Sequence, residues 1–292
     1  MTILGVDIGY TYTKTSEGIL FASKVCKAEP FQDAPKLTWE GQTYSVGVGE
    51  STVDANKINS TITKVCMMAA LAVSSKDSEF NIVTGLPIGQ FSAQADNLKS
   101  MILSNRRNKV FLNGVERNLN INDVKIYAQG AGALFAQRID GEAIIIDIGG
   151  RTIDIAYFEI EGGRRRLSTH STLYCGMLPL YSKAIEAINQ KYELTLPSKD
   201  SEKILRDGLE VHGEKQDIRF INTIKNEHIQ ELVNELDVKY PSKTTPIYIT
   251  GGGAFIFGAV LQDKYRNARI LPNCQFSNAN GFKQIGESIW QN

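Results

Sequence analysis

Short apolar runs that end in glycine turns alternate along this chain with longer stretches in which apolar residues return every three or four positions, the patterns of strands and of one-sided helices. Residues 2–6 are apolar on both faces, which predicts a central strand covered on both sides. Segments 11–16 and 19–25, joined by Glu17-Gly18, predict a hairpin behind it. Residues 30–59 are more polar and carry Pro30, Pro35 and several glycines; they predict a small insertion built of short strands. Ile62, Val65, Cys66, Ala69, Ala70 and Val73 share one helical face, predicting a helix over 61–75. A strand over 81–84 runs into Gly85-Leu86-Pro87, where proline stops the ladder, and a polar helix is expected over 90–104. Asn113-Gly114, between 109–112 and 115–120, signals a type I′ hairpin. A strand over 124–127 precedes Gln129-Gly130-Ala131-Gly132-Ala133, whose small residues begin a helix expected to reach about residue 138.

The opening pattern then returns. Ile3-Leu4-Gly5-Val6-Asp7-Ile8-Gly9-Tyr10-Thr11 is echoed by Ile144-Ile145-Ile146-Asp147-Ile148-Gly149-Gly150-Arg151-Thr152, followed by segments 152–160 and 164–172 around Glu161-Gly162-Gly163. A helix is expected over 177–192, a charged and mostly helical stretch over 198–240, and a strand over 246–250 that delivers Gly251-Gly252-Gly253 into a helix over 254–265. A last strand over 269–271 and a terminal helix over 280–290 complete the pattern. The repeat predicts two like domains. The first takes residues 1–140 plus 276–292 with an insertion at about 30–60, and the second takes 141–275 with an insertion at about 193–244.

Composition narrows the function classes. Lys plus Arg equals Asp plus Glu, 32 of each, so the chain lacks the cationic excess that direct binding to nucleic acid over a broad surface requires. The run Arg164-Arg165-Arg166 is read as a solvated hairpin tip or, alternatively, a partner contact. Four scattered cysteines without metal-ligand spacing point to a reducing cytoplasm rather than to zinc or disulfides. No segment reaches the roughly 18–20 apolar residues of a membrane span, and residue 1 leads directly into a strand without a signal peptide, so no membrane association is expected.

The two Asp-Ile-Gly loops and the triple glycine share one context, a strand end running into a glycine loop. Backbone N–H groups converge on phosphate oxygens most easily where no Cβ intervenes. An aspartate beside a phosphate repels it unless a cation stands between them, and hydrated Mg²⁺ is commonly held by one or two carboxylates plus substrate phosphates. Taken singly, Asp7 or Asp147 reads as a strand-end turn residue; the duplicated context favours the metal. Lys14, in phase with the hairpin that follows Asp7, is a point-charge partner for phosphate.

Asp7-Ile8-Gly9 with Lys14, Gln129-Gly130-Ala131-Gly132-Ala133, Asp147-Ile148-Gly149-Gly150-Arg151-Thr152-Ile153-Asp154 and Thr250-Gly251-Gly252-Gly253-Ala254 resemble, in order, the phosphate-1, connect-1, phosphate-2 and adenosine motifs of the actin, Hsp70 and sugar-kinase superfamily. Thr84-Gly85-Leu86-Pro87-Ile88-Gly89-Gln90-Phe91 narrows the resemblance to ParM-like bacterial actins of plasmid segregation. The resemblance implies an α/β fold of two RNase H-like (actin-fold) domains with an inter-domain nucleotide cleft, each carrying a small inserted subdomain. It implies ATP or ADP with Mg²⁺ as ligands, the metal held by Asp7 and Asp147 through water. Gly9, Tyr10, Thr11, Lys14, Gly149, Gly150, Arg151 and Thr152 would bind phosphates, and Gly251, Gly252 and Gly253 would lie against the α-phosphate and adenosine. Asp7, Gln129 and Asp147 would form the catalytic set, with Gln129 orienting the attacking water. Read without the resemblance, Gln129 has the lesser alternative of a helix N-terminal residue bonding backbone.

Two departures stand out. Tyr10 occupies a position where actin and Hsp70 have Ser or Thr, so phosphate contact there would come from its backbone or from Thr11. Arg151 stands where close relatives often have Thr, and either reaches a phosphate or points to solvent. Asp154 is either a polar group near the metal or a hairpin residue. The implied function is an actin-like ATPase that polymerises into ATP-dependent dynamic filaments in the bacterial cytoplasm. It would segregate plasmid DNA indirectly, through a small DNA-binding, centromere-bound adaptor of ParR type. The alternative is a small-molecule kinase of the same superfamily, which would need a general-base Asp in an acceptor pocket.

Overall fold

The structure is a computed structural model that describes residues 1–28, 33–51, 60–137 and 139–291. It divides into two compact units, residues 1–140 with 275–292, and residues 141–274.

The first unit is built on one sheet. In chain order its elements are β1 (Thr2–Ile8), β2 (Tyr12–Thr15), β3 (Leu20–Ala22), β4 (Lys24–Lys27), β5 (Lys36–Trp39), β6 (Gln42–Val46), β7 (Glu50–Ser51), α1 (Thr61–Ser74), β8 (Glu79–Leu86), α2 (Ile88–Leu103), β9 (Arg107–Leu112), β10 (Val115–Ala128) and α3 (Ala131–Ala136). The strand order is β3-β2-β1-β8-β10-β9-β5-β6-β4-β7, with β1, β8 and β10 parallel at its centre. Alternation along the central strands assigns side chains to two faces. Leu4, Val6, Phe80 and Ile82 join the core that includes Val65–Ala72 of α1 and Leu98 and Ile102 of α2. On the other face, Val83 packs with Phe282 and Ile285 of the terminal helix Ser277–Trp290. That helix lies so close that a Cβ on Gly5 would stand 1.9 Å from the Ala279 carbonyl oxygen, and one on Gly281 1.7 Å from that of Gly132 in α3.

Several expected boundaries move. The strands expected at 115–120 and 124–127 are one strand, β10, whose register slips between Ile121 and Asp123, so a bulge absorbs the polar interruption. The segment expected as one strand over 19–25 is two, β3 and β4, which pair with different neighbours. The helix expected from Gln129 begins at Ala131, because Gly130 has a φ of 86° that no helix accommodates; its expected end at residue 138 lies outside the described residues. Of the polar stretch 30–59, residues 30–32 and 52–59 lie outside the described residues, and β5 to β7 extend the main sheet. Asn113 and Gly114 both have positive φ, 49° and 82°, as the type I′ turn between β9 and β10 requires.

The second unit continues with β11 (Ala143–Ile148), β12 (Ile153–Glu161), β13 (Arg164–Leu173), α4 (Met177–Tyr192), α5 (Ser201–Asp207), β14 (Leu209–Val211), β15 (Glu214–Gln216), α6 (Ile221–Lys239), β16 (Ile247–Thr250), α7 (Ala254–Lys264) and β17 (Ala268–Ile270). Its sheet order is β13-β12-β11-β16-β17, with β11, β16 and β17 parallel. Every residue of β11 is buried, which explains its apolar run Ala143–Ile146 and leaves Asp147 as its one charged residue. The order β3-β2-β1-β8 in the first unit and β13-β12-β11-β16 in the second have the same strand directions, so the sequence repeat is a repeat of topology. The charged stretch 198–240 holds a hairpin, β14–β15, besides its helices. His212 and Gly213, with φ of 53° and 82°, make the turn. Arg164-Arg165-Arg166 open β13 and are exposed, Arg166 bonding Glu161 across the hairpin at 2.6 Å. Among the described residues no helix is long and apolar enough to cross a membrane.

Candidate functional site

Each unit places an aspartate at the end of its first strand, and the hairpin register decides what stands opposite. In the first unit Asp7 pairs with Lys14 across β1 and β2. The Lys14 ammonium donates to Asp7 Oδ2 at 2.8 Å, and both side chains are largely buried. Asp7 Oδ1 accepts a second bond, 2.7 Å long, from the Gln129 side-chain amide, which comes off the end of β10. Gln129 is itself fixed by its backbone N–H on the Leu86 carbonyl at 2.7 Å. The next residue is fixed as well, the Gly130 N–H donating to Asn278 Oδ1 at 2.9 Å. The structure therefore brings Asp7, Lys14 and Gln129 together, and Gln129 bonds a carboxylate with its side chain rather than helix backbone.

The loop after Asp7 is closed by the Gly9 N–H bonding the Tyr12 carbonyl at 2.9 Å, and a Cβ on Gly9 would stand 2.8 Å from that oxygen. Tyr10 is buried; its hydroxyl accepts from the Gln90 amide at 3.4 Å, so its ring packs within the unit. Thr11 gives its carbonyl to the Ser23 N–H, while its hydroxyl is buried and makes no hydrogen bond. A buried polar atom in that state is one that an ordered water, an ion or a ligand would satisfy.

In the second unit the Gly149 N–H bonds the Thr152 carbonyl at 2.9 Å, the counterpart of Gly9 with Tyr12. Asp147 pairs with Asp154, where the first unit has Lys14. Like charges directly opposite repel. Asp154 is accommodated by the Thr152 hydroxyl at 3.0 Å and the Thr172 hydroxyl at 2.6 Å, so the Thr152 side chain is committed to Asp154. Arg151 is partly buried, and its carbonyl accepts from the Gly176 N–H at 3.0 Å; Leu178 N–H bonds the Gly150 carbonyl at 2.8 Å.

The triple glycine folds back onto the same strand end. Gly251 has a φ of 84°, and a Cβ there would meet Asp147 Oδ1 at 2.4 Å. The Gly253 N–H bonds the Ile148 carbonyl at 2.9 Å, and a Cβ on Gly253 would collide with the Ile148 side chain. Gly252 between them is partly buried. Glycine at 251 and 253 is thus demanded by the chain's own packing around Asp147. Thr172 and the turn at Gly176 carry no local motif, and sequence reasoning did not reach them as parts of the site.

Among the described residues no three His, Cys, Asp or Glu side chains cluster as a metal cage. Asp7 has both oxygens accepting hydrogen bonds, and Asp147 is seated against Gly251.

Two family models match successive halves of the chain: "Actin like proteins N terminal domain" over residues 5–132 and "Archaeal actin homologue MreB-like, C-terminal" over residues 145–263. No curated protein matches it in sequence. Among solved structures it is similar to a subunit of a 15-stranded ParM filament from Clostridium botulinum, at 21% identity and a TM-score of 0.81, covering 98% of this chain and 99% of that one. An archaeal actin homologue is similar at 20% identity and a TM-score of 0.85, covering 99% and 100%. The same homologue in complex with ADP gives 21% and 0.84 with the same coverage. This chain thus has an actin-like N-terminal domain and an MreB-like, archaeal-actin-type C-terminal domain, and the ParM-like actin fold.

Proposed function

We propose that this protein binds ATP with Mg²⁺, assembles with copies of itself into filaments, and hydrolyses the nucleotide slowly as a timer of filament lifetime. The observation that carries the reading is the duplicated strand end: a buried aspartate above a glycine loop in each unit, with Lys14 and Gln129 on the first and Gly251 on the second. Gly9, Tyr10, Thr11 and Lys14 from the first unit and Gly149, Gly150, Arg151 and Thr152 from the second would hold phosphates; Tyr10 and Thr152 would do so through backbone, because their side chains are engaged within their own units. The unpartnered Thr11 hydroxyl supports a phosphate oxygen beside it. Gly251, Gly252 and Gly253 would lie along the α-phosphate and adenosine.

Mg²⁺, held through water by Asp7 and Asp147, would neutralise charge on the β- and γ-phosphates. Lys14 already neutralises Asp7 and offers a cationic donor to phosphate. The Gln129 amide, with one N–H on Asp7, has its carbonyl left to align a water without being a strong base, consistent with slow turnover.

Filament formation is supported by the likeness to a protein whose structure was solved as a 15-stranded ParM filament, and nucleotide binding by the likeness to an actin homologue solved with ADP. The proposal extends to plasmid segregation in a bacterial cytoplasm through a small DNA-binding adaptor of ParR type, the balance of 32 basic and 32 acidic residues suiting indirect contact with DNA. The four cysteines are free thiols, which suits a reducing compartment. Titration with a fluorescent ATP analogue tests the reading: saturable binding that weakens when Mg²⁺ is chelated is expected, and absence of binding overturns it.

A further inference from the structure

Helix α6 lies far in sequence from the second Asp-Ile-Gly loop, yet its His228 side chain touches both the turn packed on that loop and the helix that begins after the triple glycine. His228 Nε2 stands 2.8 Å from the Cys175 carbonyl and 2.9 Å from that of Gly176, so the ring carries its proton there and donates to both. The ring also stacks on Phe257 of α7, with centroids 5.8 Å apart and planes 6° from parallel.

Both contacts lead to the loops. The turn at 175–178 is stitched onto the second Asp-Ile-Gly loop by three backbone bonds: Gly176 N–H to Arg151, Met177 N–H to Gly149 and Leu178 N–H to Gly150, at 3.0, 3.0 and 2.8 Å. The fit is tight, because a Cβ on Gly176 would stand 2.5–2.6 Å from the backbone of Gly150 and Arg151. Phe257 belongs to the first turn after the triple glycine, its N–H bonding the Gly253 carbonyl at 3.0 Å. Glu231, one turn after His228, faces the Cys175 thiol, which burial and this carboxylate push up to about 12. The thiol is therefore a neutral spacer in the same contact.

We propose that His228 is a positioning residue that holds both glycine loops of the second unit in register with α6, and so sets how firmly they retain nucleotide. The proposal rests on the reading of those loops as nucleotide-binding. Removing the imidazole proton donor takes one hydrogen bond from each of the two carbonyls and loosens the turn that the 149–151 carbonyls are tied to.

The test compares wild type with His228→Phe, which keeps a ring for Phe257 but has no donor, His228→Gln, which restores an N–H, and Val233→Ala, which loosens the buried side of α6 without touching the turn. A fluorescent ADP analogue should dissociate about threefold to tenfold faster from His228→Phe, the range expected for one lost hydrogen bond. His228→Gln should lie within about twofold of wild type, and Val233→Ala should match wild type despite a lower Tm. Amide exchange in the nucleotide-free protein should quicken at Gly176, Met177 and Leu178 in His228→Phe alone. A wild-type dissociation rate in His228→Phe, or an equal increase in Val233→Ala, overturns the proposal. Unfolding of both His228→Phe and His228→Gln marks the residue as merely structural and also overturns it. Failure of wild type to bind the analogue overturns the nucleotide reading together with this one, whereas binding by wild type with no effect at His228 overturns this one alone.

Discussion

The side-chain amide of Gln129 donates to Asp7 Oδ1 across 2.7 Å, joining two residues 122 positions apart in the chain. The bond orients the carboxylate that Lys14 grips from its other oxygen. Truncation should therefore impair turnover more than binding. In Gln129→Ala we expect ATP hydrolysis to slow by about tenfold or more, with affinity for an ATP analogue within about threefold of wild type. Phosphate release under single-turnover conditions checks this, and unchanged turnover would remove Gln129 from the chemistry.

Gly251 and Gly18 both have positive φ, 84° and 77°, but only Gly251 faces a crowded environment. Gly18→Ala should cost about 1 kcal/mol through backbone strain alone. Gly251→Ala adds a Cβ within 2.4 Å of Asp147 Oδ1 and should cost about 3 kcal/mol, with nucleotide binding lost as Asp147 is displaced. Urea midpoints of the two variants give the difference directly.

Phe282 is fully buried on the face of the first sheet that the terminal helix covers, its ring beside Gly85 and Val83. Phe282→Ala should destabilise by about 3–5 kcal/mol. The loss should appear in the stability of the first unit, read by hydrogen exchange in β1 and β8 rather than in β11.

His228 carries a pH signature. Burial, the largest cause, lowers its pKa below 6.5, and the ammonium of Lys183 acts in the same direction, against the Cys175 and Gly176 carbonyls and Glu231. The unfolded chain then binds a proton at a pH where the folded protein does not, so stability falls as pH drops from about 6.5 toward the folded pKa. His228→Gln should remove that part of the slope of Tm against pH between about 7 and 5, and an unchanged slope would contradict the assignment.

The α/β architecture was legible because the duplicated strand, loop and hairpin pattern repeats both its apolar runs and its glycines; that Lys14 stands opposite Asp7, and Asp154 opposite Asp147, is set by the register of each hairpin. Partners brought in by tertiary packing were not. Gln129 leaves a strand rather than opening a helix, since Gly130 at a φ of 86° delays α3 by a turn position, and its bond to Asp7 depends on β8 lying between β1 and β10. Tyr10 was singled out by sequence, but its burial against Gln90 needed the first turn of α2 in place. Asp154 had two readings, and its hydroxyl partners put it in a hairpin-centred network with Thr152 and Thr172. The glycines at 251 and 253 were assigned to ligand approach; the fold requires them first for packing on Asp147 and Ile148.

ATP-dependent self-assembly is the property on which the proposed function stands, and sedimentation with light scattering at micromolar protein measures it without intermediaries. Scattering should rise on adding ATP with Mg²⁺, the protein should then pellet as filaments visible by electron microscopy, and scattering should decay as ADP accumulates. Protein that stays in the supernatant with ATP and Mg²⁺, while still binding nucleotide, would contradict the filament reading.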